Sequence, residues 1–247
     1  MRKRNKRIIG MIFLIVIVAA GFALRHVKPI RQGFFTEPVQ QEDKAAMQDT
    51  LYDLLQNNPE LADFVAGFAQ ADGSVTGGIS KEEKEEDSPL FLQWDARWGY
   101  APYGESCIGI SGCAPTCLSM VIFSLTRDEA ATPDKLADYS MEHGYYASGI
   151  GTQWSFLKDA AREYGVVSSE TSLDDTIMKR ELDNGHPIIA SVRKGDFTTQ
   201  GHFIVIYGYD QEGFLIHDPN SRNRSAQKWT FEVLEPQIKN LWSYSID

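Results

Sequence analysis

The fold of this chain is decided by SGCAPTCLSMV, the stretch at residues 111–121. Two small residues, Ser111 and Gly112, lead into Cys113. Pro115 follows two positions later and suits the first turn of a helix, where its missing N–H group costs nothing. Cys113 is therefore predicted at a helix N-terminus, where the helix dipole and free backbone N–H groups stabilise a thiolate. We expect this cysteine to be a nucleophile.

All three cysteines of the chain lie within eleven residues of one another. Because their number is odd, at least one has no partner within the chain. Cys117 lies one turn into the predicted helix and is expected to pack in the core, whereas Cys107 is expected in a loop. The spacing contains no CxxC pair and no HxxxH follows it, so neither a metal nor a cofactor is expected. The alternative interpretation of any single cysteine is a small buried hydrophobic residue.

A histidine and an aspartate further along the chain can complete the chemistry of Cys113. In GHFIVIYGYD, residues 201–210, His202 opens an apolar strand, and a glycine before it leaves room to face a helix N-terminus. In FLIHDPN, residues 214–220, Asp218 ends the next strand. A short turn joins the two strands, so antiparallel pairing brings His202 close to Asp218, which can accept the second imidazole N–H.

Each of these residues also has a plainer interpretation. His202 could be a structural histidine, and Asp218 could cap a turn before Pro219. His217 is adjacent to Asp218, but strand alternation sends its side chain to the opposite face.

Residue periodicity predicts helices first and strands later in the compact part of the chain. Helices are expected from Leu118 to Leu125, from Thr132 or Asp134 to Gly144, from Thr152 to Tyr164 and from Ser172 to Asn184. Strands are expected over residues 187–192, 202–209 and 214–217, with further strands over 229–233 and 242–246. Helices followed by an antiparallel sheet indicate an α+β domain.

The N-terminus carries the pattern of a membrane or export segment. Residues 1–7 hold five positive charges and form the predicted cytoplasmic basic stub, and residues 8–24 are uncharged and almost wholly apolar. As a helix this run would span roughly 25 Å, the short end of a membrane crossing, and the positive flank keeps the N-terminus inside. A transmembrane signal-anchor is the preferred interpretation, and a signal peptide cleaved after Val18-Ala19-Ala20 is the alternative. We therefore expect a single-pass protein of the cell membrane with an extracellular domain, or a secreted protein.

The remainder divides into three predicted regions. Residues 25–45 are mixed and polar and form a stalk, and residues 46–88 form a helical brace, broken at Asn58-Pro59, with a polar loop. Residues 89–247 form the compact domain.

The net charge of the chain after residue 32 indicates whether it can bind nucleic acid. Eight of the 24 Lys and Arg residues lie within residues 1–32, so the rest of the chain carries 16 basic against 34 acidic residues. A nucleic-acid partner requires a basic footprint. No nucleic-acid partner is therefore expected.

Taken together, the motifs resemble those of a known family. The segments QWDARWGYAPYG, SGCAPTCLSM, GHFIVIYGYD and HDPN stand in an order and spacing similar to bacterial papain-clan cysteine peptidases of family 39. The resemblance is to the bacteriocin-processing or double-glycine type, in its stand-alone branch, and it covers about residues 90–245. It implies a papain-like fold in which Cys113 is the nucleophile, His202 the base and Asp218 the orienting group.

One position departs from that family pattern. The transporter-linked members carry an oxyanion-hole glutamine six residues before the cysteine, and this chain has Cys107 there. Gln93 is the candidate substitute for the oxyanion hole. If no amide reaches the site, the domain would bind peptides without cleaving them.

The residues and the resemblance together predict an exported or membrane-anchored thiol peptidase that cleaves a peptide or protein substrate through an acyl-enzyme. One alternative is a non-catalytic surface module that binds peptides on a papain-like scaffold. Another is an NlpC-type cell-wall endopeptidase, which usually uses a Cys-His-His set. The substrate stays open among peptides, cell-wall stem peptides, isopeptides and secreted leaders.

Overall fold

The computed structural model describes residues 50–246. The basic stub, the apolar run and the stalk that the sequence predicts over residues 1–45 lie outside the described residues. Between residues 50 and 246, no helix combines the length and the apolar character needed to cross a bilayer.

The described chain opens in a helix, α1, over residues 50–57. The helices that follow are α2 (Ala62–Gly67), α3 (Lys81–Glu85), α4 (Ile108–Ser111), α5 (Cys113–Thr126), α6 (Pro133–Glu142), α7 (Ser155–Arg162), α8 (Asp175–Asp183), α9 (Arg222–Ser225) and α10 (Phe231–Leu234). Turns of 3-10 helix cover Pro59–Leu61, Phe68–Gln70 and Glu235–Gln237.

The strands are β1 (Pro102–Tyr103), β2 (Ser106–Cys107), β3 (Tyr146–Ala147), β4 (Gly151–Thr152), β5 (Val166–Thr171), β6 (Ile188–Arg193), β7 (Gly201–Tyr209), β8 (Phe214–His217), β9 (Lys228–Trp229) and β10 (Ile238–Ile246). The last six form one sheet in the order β5-β10-β6-β7-β8-β9, with antiparallel neighbours throughout. The helices therefore precede most of an antiparallel sheet, and the predicted α+β class is confirmed.

Helix α5 lies at the centre of the larger apolar core. Its residues 114–123 are all buried. The sequence predicts a buried helix over residues 118–125, and of these residues 124 and 125 are half-buried. Phe203 and Val205 of β7 point into the same core. Ile204 and Ile206 face a second core on the other side of the sheet, because successive side chains of a strand point to opposite faces. This packing holds strand β7 against the helix that begins at the candidate nucleophile.

Residues 50–70, called the brace below, pack against the domain as short helical segments. The predicted break is present, because Asn58 is extended and its side chain caps the 3-10 turn that follows. Leu61 and Phe64 are buried, and they form a third apolar cluster with Trp94 and its neighbours.

Two helices begin later than the sequence predicts. Helix α7 starts at Ser155, and Thr152 lies in β4, where its hydroxyl shares a 2.6 Å hydrogen bond with the hydroxyl of Tyr103. Helix α8 is capped by Asp174 and not by Ser172, since the Asp174 carboxylate accepts the hydrogen bond that a cap provides.

Four other segments also differ. Residues 229–233 divide between the end of β9 and helix α10, and β10 begins at Ile238, well before the predicted start at residue 242. Strand β5 was not predicted. The polar loop before the domain contains helix α3, which Ser80 and Glu83 close with a capping box.

Candidate active site

Cys113 is the first residue of helix α5, as the sequence predicts. Gly112 permits the tight entry, because a β-carbon there would come within 2.6 Å of the Ile108 carbonyl oxygen. The first N–H groups of a helix have no acceptor within it and carry the positive end of its dipole. Cys113 is half-buried with a free thiol, whereas the free thiols of Cys107 and Cys117 are buried. Of the three thiols, that of Cys113 is therefore the most exposed.

The hairpin of β7 and β8 brings His202 and Asp218 together. Val205 pairs with His217, so Asp218 lies diagonally across from His202 at the open end of the hairpin. The His202 Nε2 and Asp218 Oδ1 atoms are 2.7 Å apart, and both side chains are buried. The Cys113 side chain is also close enough to the His202 ring to contribute to raising its pKa. Because Asp218 occupies Nε2, Nδ1 is the ring nitrogen left for another partner.

Donors surround the Asp218 carboxylate on both oxygens. Oδ2 accepts from Nε of Arg224 at 2.5 Å, and Oδ1 accepts from the backbone N–H of Asn220 at 2.8 Å as well as from His202. The backbone N–H of Asp218 donates to Oγ of Ser225 at 2.8 Å. A buried carboxylate needs such compensation, and here it fixes the direction in which Oδ1 points.

The charges of this cluster reinforce one another. Burial alone lowers the pKa of His202, but the charge and hydrogen bond of Asp218, with a contribution from Cys113, raise it to about 10. Burial raises the pKa of Asp218, whereas His202 and Arg224 more than offset burial and hold it below its usual value. These pKa shifts favour an imidazolium paired with a carboxylate at neutral pH.

Gln93 is buried against the short helix α4, which precedes the nucleophile. Its Nε2 donates to the Gly109 carbonyl at 3.0 Å, and its backbone N–H donates to the Pro219 carbonyl at 2.8 Å. A glutamine amide has two N–H groups, so one remains beyond the bond to Gly109. Its Oε1 is buried with no partner among residues 50–246.

His217 has surroundings of its own. Its Nε2 lies 2.7 Å from the Ser88 carbonyl, and its ring stacks on Tyr207 at a centroid distance of 4.0 Å. Burial lowers the pKa of His217 to about 4, so this imidazole is neutral at physiological pH. The predicted separation of His217 from the His202 side of the hairpin agrees with these contacts.

The sequence analysis did not single out Arg224, which contacts Asp218, or Glu60, which contacts the helix that carries Arg224. Arg224 lies six residues after Asp218 in helix α9. Ser221, a serine at the N-cap of this helix, is the sequence signal that could have indicated the helix. Glu60 contacts the start of the same helix from the brace. No local pattern predicts a contact across about 160 residues.

Together, a cysteine that opens a central helix and a histidine that opens a facing antiparallel strand define a papain-like fold. Comparison with known proteins identifies the family. The model of the Peptidase_C39 like family matches residues 85–245. The chain belongs to this family and is a cysteine peptidase.

The chain is also similar to solved structures at low sequence identity. The peptidase domain of Streptococcus ComA, a bi-functional ABC transporter of a quorum sensing pathway, is 20% identical, and the match covers 56% of this chain and 93% of that domain with a TM-score of 0.44. Xylellain, a cysteine protease from Xylella fastidiosa, is 14% identical over 70% of this chain and 91% of its own, with a TM-score of 0.43. No curated protein sequence matches the chain.

Proposed function

We propose that this chain hydrolyses a peptide or amide bond through a triad of Cys113, His202 and Asp218. The observation that carries the proposal is the His202 ring, whose Nε2 lies 2.7 Å from Asp218 and which is close enough to Cys113 for that side chain to raise its pKa. That arrangement would provide the three groups of a triad, namely a nucleophile, a proton carrier and an orienting carboxylate.

In the first half-reaction the Cys113 thiolate attacks the carbonyl carbon of the scissile bond, and a C–S bond forms. The Nδ1–H of the His202 imidazolium gives its proton to the leaving nitrogen, and the C–N bond breaks. A water molecule then attacks the thioester and passes a proton to Nδ1. The C–S bond breaks, the acid product leaves, and the thiolate and imidazolium are restored.

Two donors are proposed for the oxyanion formed in each half-reaction. The backbone N–H of Cys113 lies in the first turn of a helix and has no acceptor within that helix. The second N–H of Gln93 Nε2 is the other candidate, since the first is bonded to Gly109. Fixed donors of this kind stabilise developing charge without reorganising.

The contacts of the two neighbouring histidines favour a Cys-His-Asp set over the Cys-His-His set of an NlpC-type enzyme. The polar partner of His202 Nε2 is the Asp218 carboxylate, whereas His217 Nε2 is directed to the Ser88 carbonyl. A neutral histidine held in that way is unsuited to orient His202.

An epoxide inhibitor of cysteine peptidases tests the proposal without knowledge of the substrate. Intact mass should show one adduct on the wild-type chain, peptide mapping should place it on Cys113, and Cys113→Ala should abolish it. His202→Ala should slow labelling strongly, because the imidazolium stabilises the thiolate. An absence of labelling, or labelling that survives Cys113→Ala, would refute the proposal and favour a non-catalytic binding module.

We further propose that residues 8–24 anchor or export the domain, on the strength of the cationic flank and the apolar run. The domain would then act on peptides outside the cytoplasmic membrane. Protease added to intact protoplasts should digest residues 25–247, and complete protection would contradict an extracellular domain.

A further inference from the structure

The brace reaches the loop that carries Asp218. The Glu60 carboxylate accepts from the hydroxyl of Ser221, from the backbone N–H of Arg222 at 2.8 Å and from that of Asn223 at 3.3 Å. These groups form the start of helix α9, whose first N–H groups lack acceptors within the helix. The Glu60 carboxylate therefore stabilises the start of this short helix by hydrogen bonds.

A second contact from the brace holds the same loop. The Asn58 side-chain amide donates to the carbonyl of Asn220, and Trp94 Nε1 donates to that carbonyl at 3.1 Å. The other end of the Asn58 side chain accepts from the backbone N–H of Glu60 at 3.1 Å. One short turn of the brace thus aims both Asn58 and Glu60 at the loop between β8 and α9.

Helix α9 connects the contacts of the brace to the proposed triad. Arg224 of α9 donates to Asp218 Oδ2 at 2.5 Å, and Ser225 of α9 accepts from the Asp218 backbone N–H at 2.8 Å. Asp218 Oδ1 in turn holds His202 at 2.7 Å. An unbroken series of contacts therefore leads from Glu60 through α9 to the imidazole.

We propose that Glu60 is a positioning residue of the active site, which holds helix α9 so that Asp218 keeps His202 aligned with Cys113. The inference rests on the proposed triad. Residue 60 lies outside the stretch 85–245 that the family model matches, so the active site extends into the brace.

The brace does not depend on Glu60 for its attachment. Leu61 and Phe64 are 1% and 3% exposed within the third apolar cluster, and Tyr100 donates to the Phe64 carbonyl at 3.0 Å. Glu60→Gln keeps the shape of the side chain but removes its charge and puts N–H donors where only acceptors fit. The variant should stay folded while α9 loosens. Asp53→Asn is the matched control, because Asp53 is an exposed carboxylate of the same segment.

The test is the pH dependence of Cys113 carboxymethylation by iodoacetate in the full-length chain, with peptide mapping to assign the adduct. An anionic reagent reacts fastest while His202 is protonated, so the wild-type rate should fall at high pH as the imidazolium loses its proton. In Glu60→Gln we expect this upper transition to move down by about one pH unit, the size associated with weakened contact to an opposite charge. Asp53→Asn should match the wild type.

An unchanged upper transition in Glu60→Gln, or the same shift in Asp53→Asn, would overturn the inference. A wild-type chain with no upper transition would instead refute the proposed triad, and the inference with it. The series should also be repeated in an Asp218→Ala background, where Glu60→Gln should cause no additional shift. A further shift there would show that Glu60 does not act through Asp218.

Discussion

Replacing Asp218 by asparagine tests whether Arg224 shapes the active site. The sequence alone predicts that Asp218→Asn is milder than Asp218→Ala, because an amide oxygen can still accept from His202. In the structure, however, Asp218 accepts from His202 on Oδ1 at 2.7 Å and from Arg224 on Oδ2 at 2.5 Å. An asparagine has only one acceptor oxygen. Its NH2 group must therefore face either the histidine or the arginine, donor against donor.

The size of the effect follows from the lost contact. A hydrogen bond to a charged group contributes about 1.5–3 kcal/mol, and about 1.4 kcal/mol corresponds to a tenfold change in rate. We therefore expect kcat to fall by roughly 10- to 150-fold in Asp218→Ala and by a similar factor in Asp218→Asn. The double variant Asp218→Asn with Arg224→Gln should recover most of the loss, because the glutamine oxygen can accept from the asparagine NH2 group.

The assay is turnover of a peptide that the wild-type chain cleaves, with active sites counted by epoxide titration so that misfolded protein is not scored as slow enzyme. Arg222→Gln, in the same short helix, is the matched control and should not rescue Asp218→Asn. The reasoning would be refuted if Asp218→Asn were at least ten times faster than Asp218→Ala and Arg224→Gln did not improve it.

Three further outcomes are expected. Burial holds the pKa of His217 near 4, below the unfolded value of about 6.5. The stability it contributes is therefore present above pH 6.5 and lost as the pH falls towards 4, so His217→Gln should flatten urea-unfolding stability over that window and leave turnover nearly unchanged. Gly109→Ala places a β-carbon 2.4 Å from an aromatic ring of the brace and should cost about 1–3 kcal/mol in thermal unfolding, whereas Gly78→Ala, with open space around it, should not. Gln93→Ala should lower kcat by about 10²- to 10³-fold if its amide holds the oxyanion, with little change in KM.

The central helix and sheet could be predicted because their sequences carry strong local patterns. Helix α5 starts where a small-residue turn and Pro115 indicate it, and the apolar runs of β6, β7 and β8 have the composition of buried strands. Strand β5 escaped prediction because only Val166 at its start is buried, so the rest shows neither an apolar run nor alternation. Thr152 resembled a helix cap, but its hydroxyl bonds instead to Tyr103, a residue distant in the chain.

The meeting of His202 and Asp218 followed from hairpin geometry to within two residues. The sequence estimate placed them almost directly opposite, whereas the pairing of Val205 with His217 makes them diagonal neighbours. An irregularity between Ile206 and Gly208 shifts the register near the turn, and no sequence rule fixes such a shift. Side chains of diagonal neighbours can still form a hydrogen bond, so a small error in the predicted register did not change the prediction that His202 contacts Asp218.

The place that the family pattern gives to an oxyanion-hole glutamine is filled by Cys107, and its packing explains how that exchange can be tolerated. Cys107 is buried in the apolar cluster that Leu61 and other brace residues form, so it serves as a small packing residue there. Gln93 reaches the same loop from another segment, with Nε2 on the Gly109 carbonyl and its backbone N–H on the Pro219 carbonyl. The brace therefore packs against the segment of the proposed oxyanion donor and also holds the loop of the proposed triad acid. Gln93 comes from a segment separate from the nucleophile, so that segment must be held in place by other contacts. The brace provides this packing.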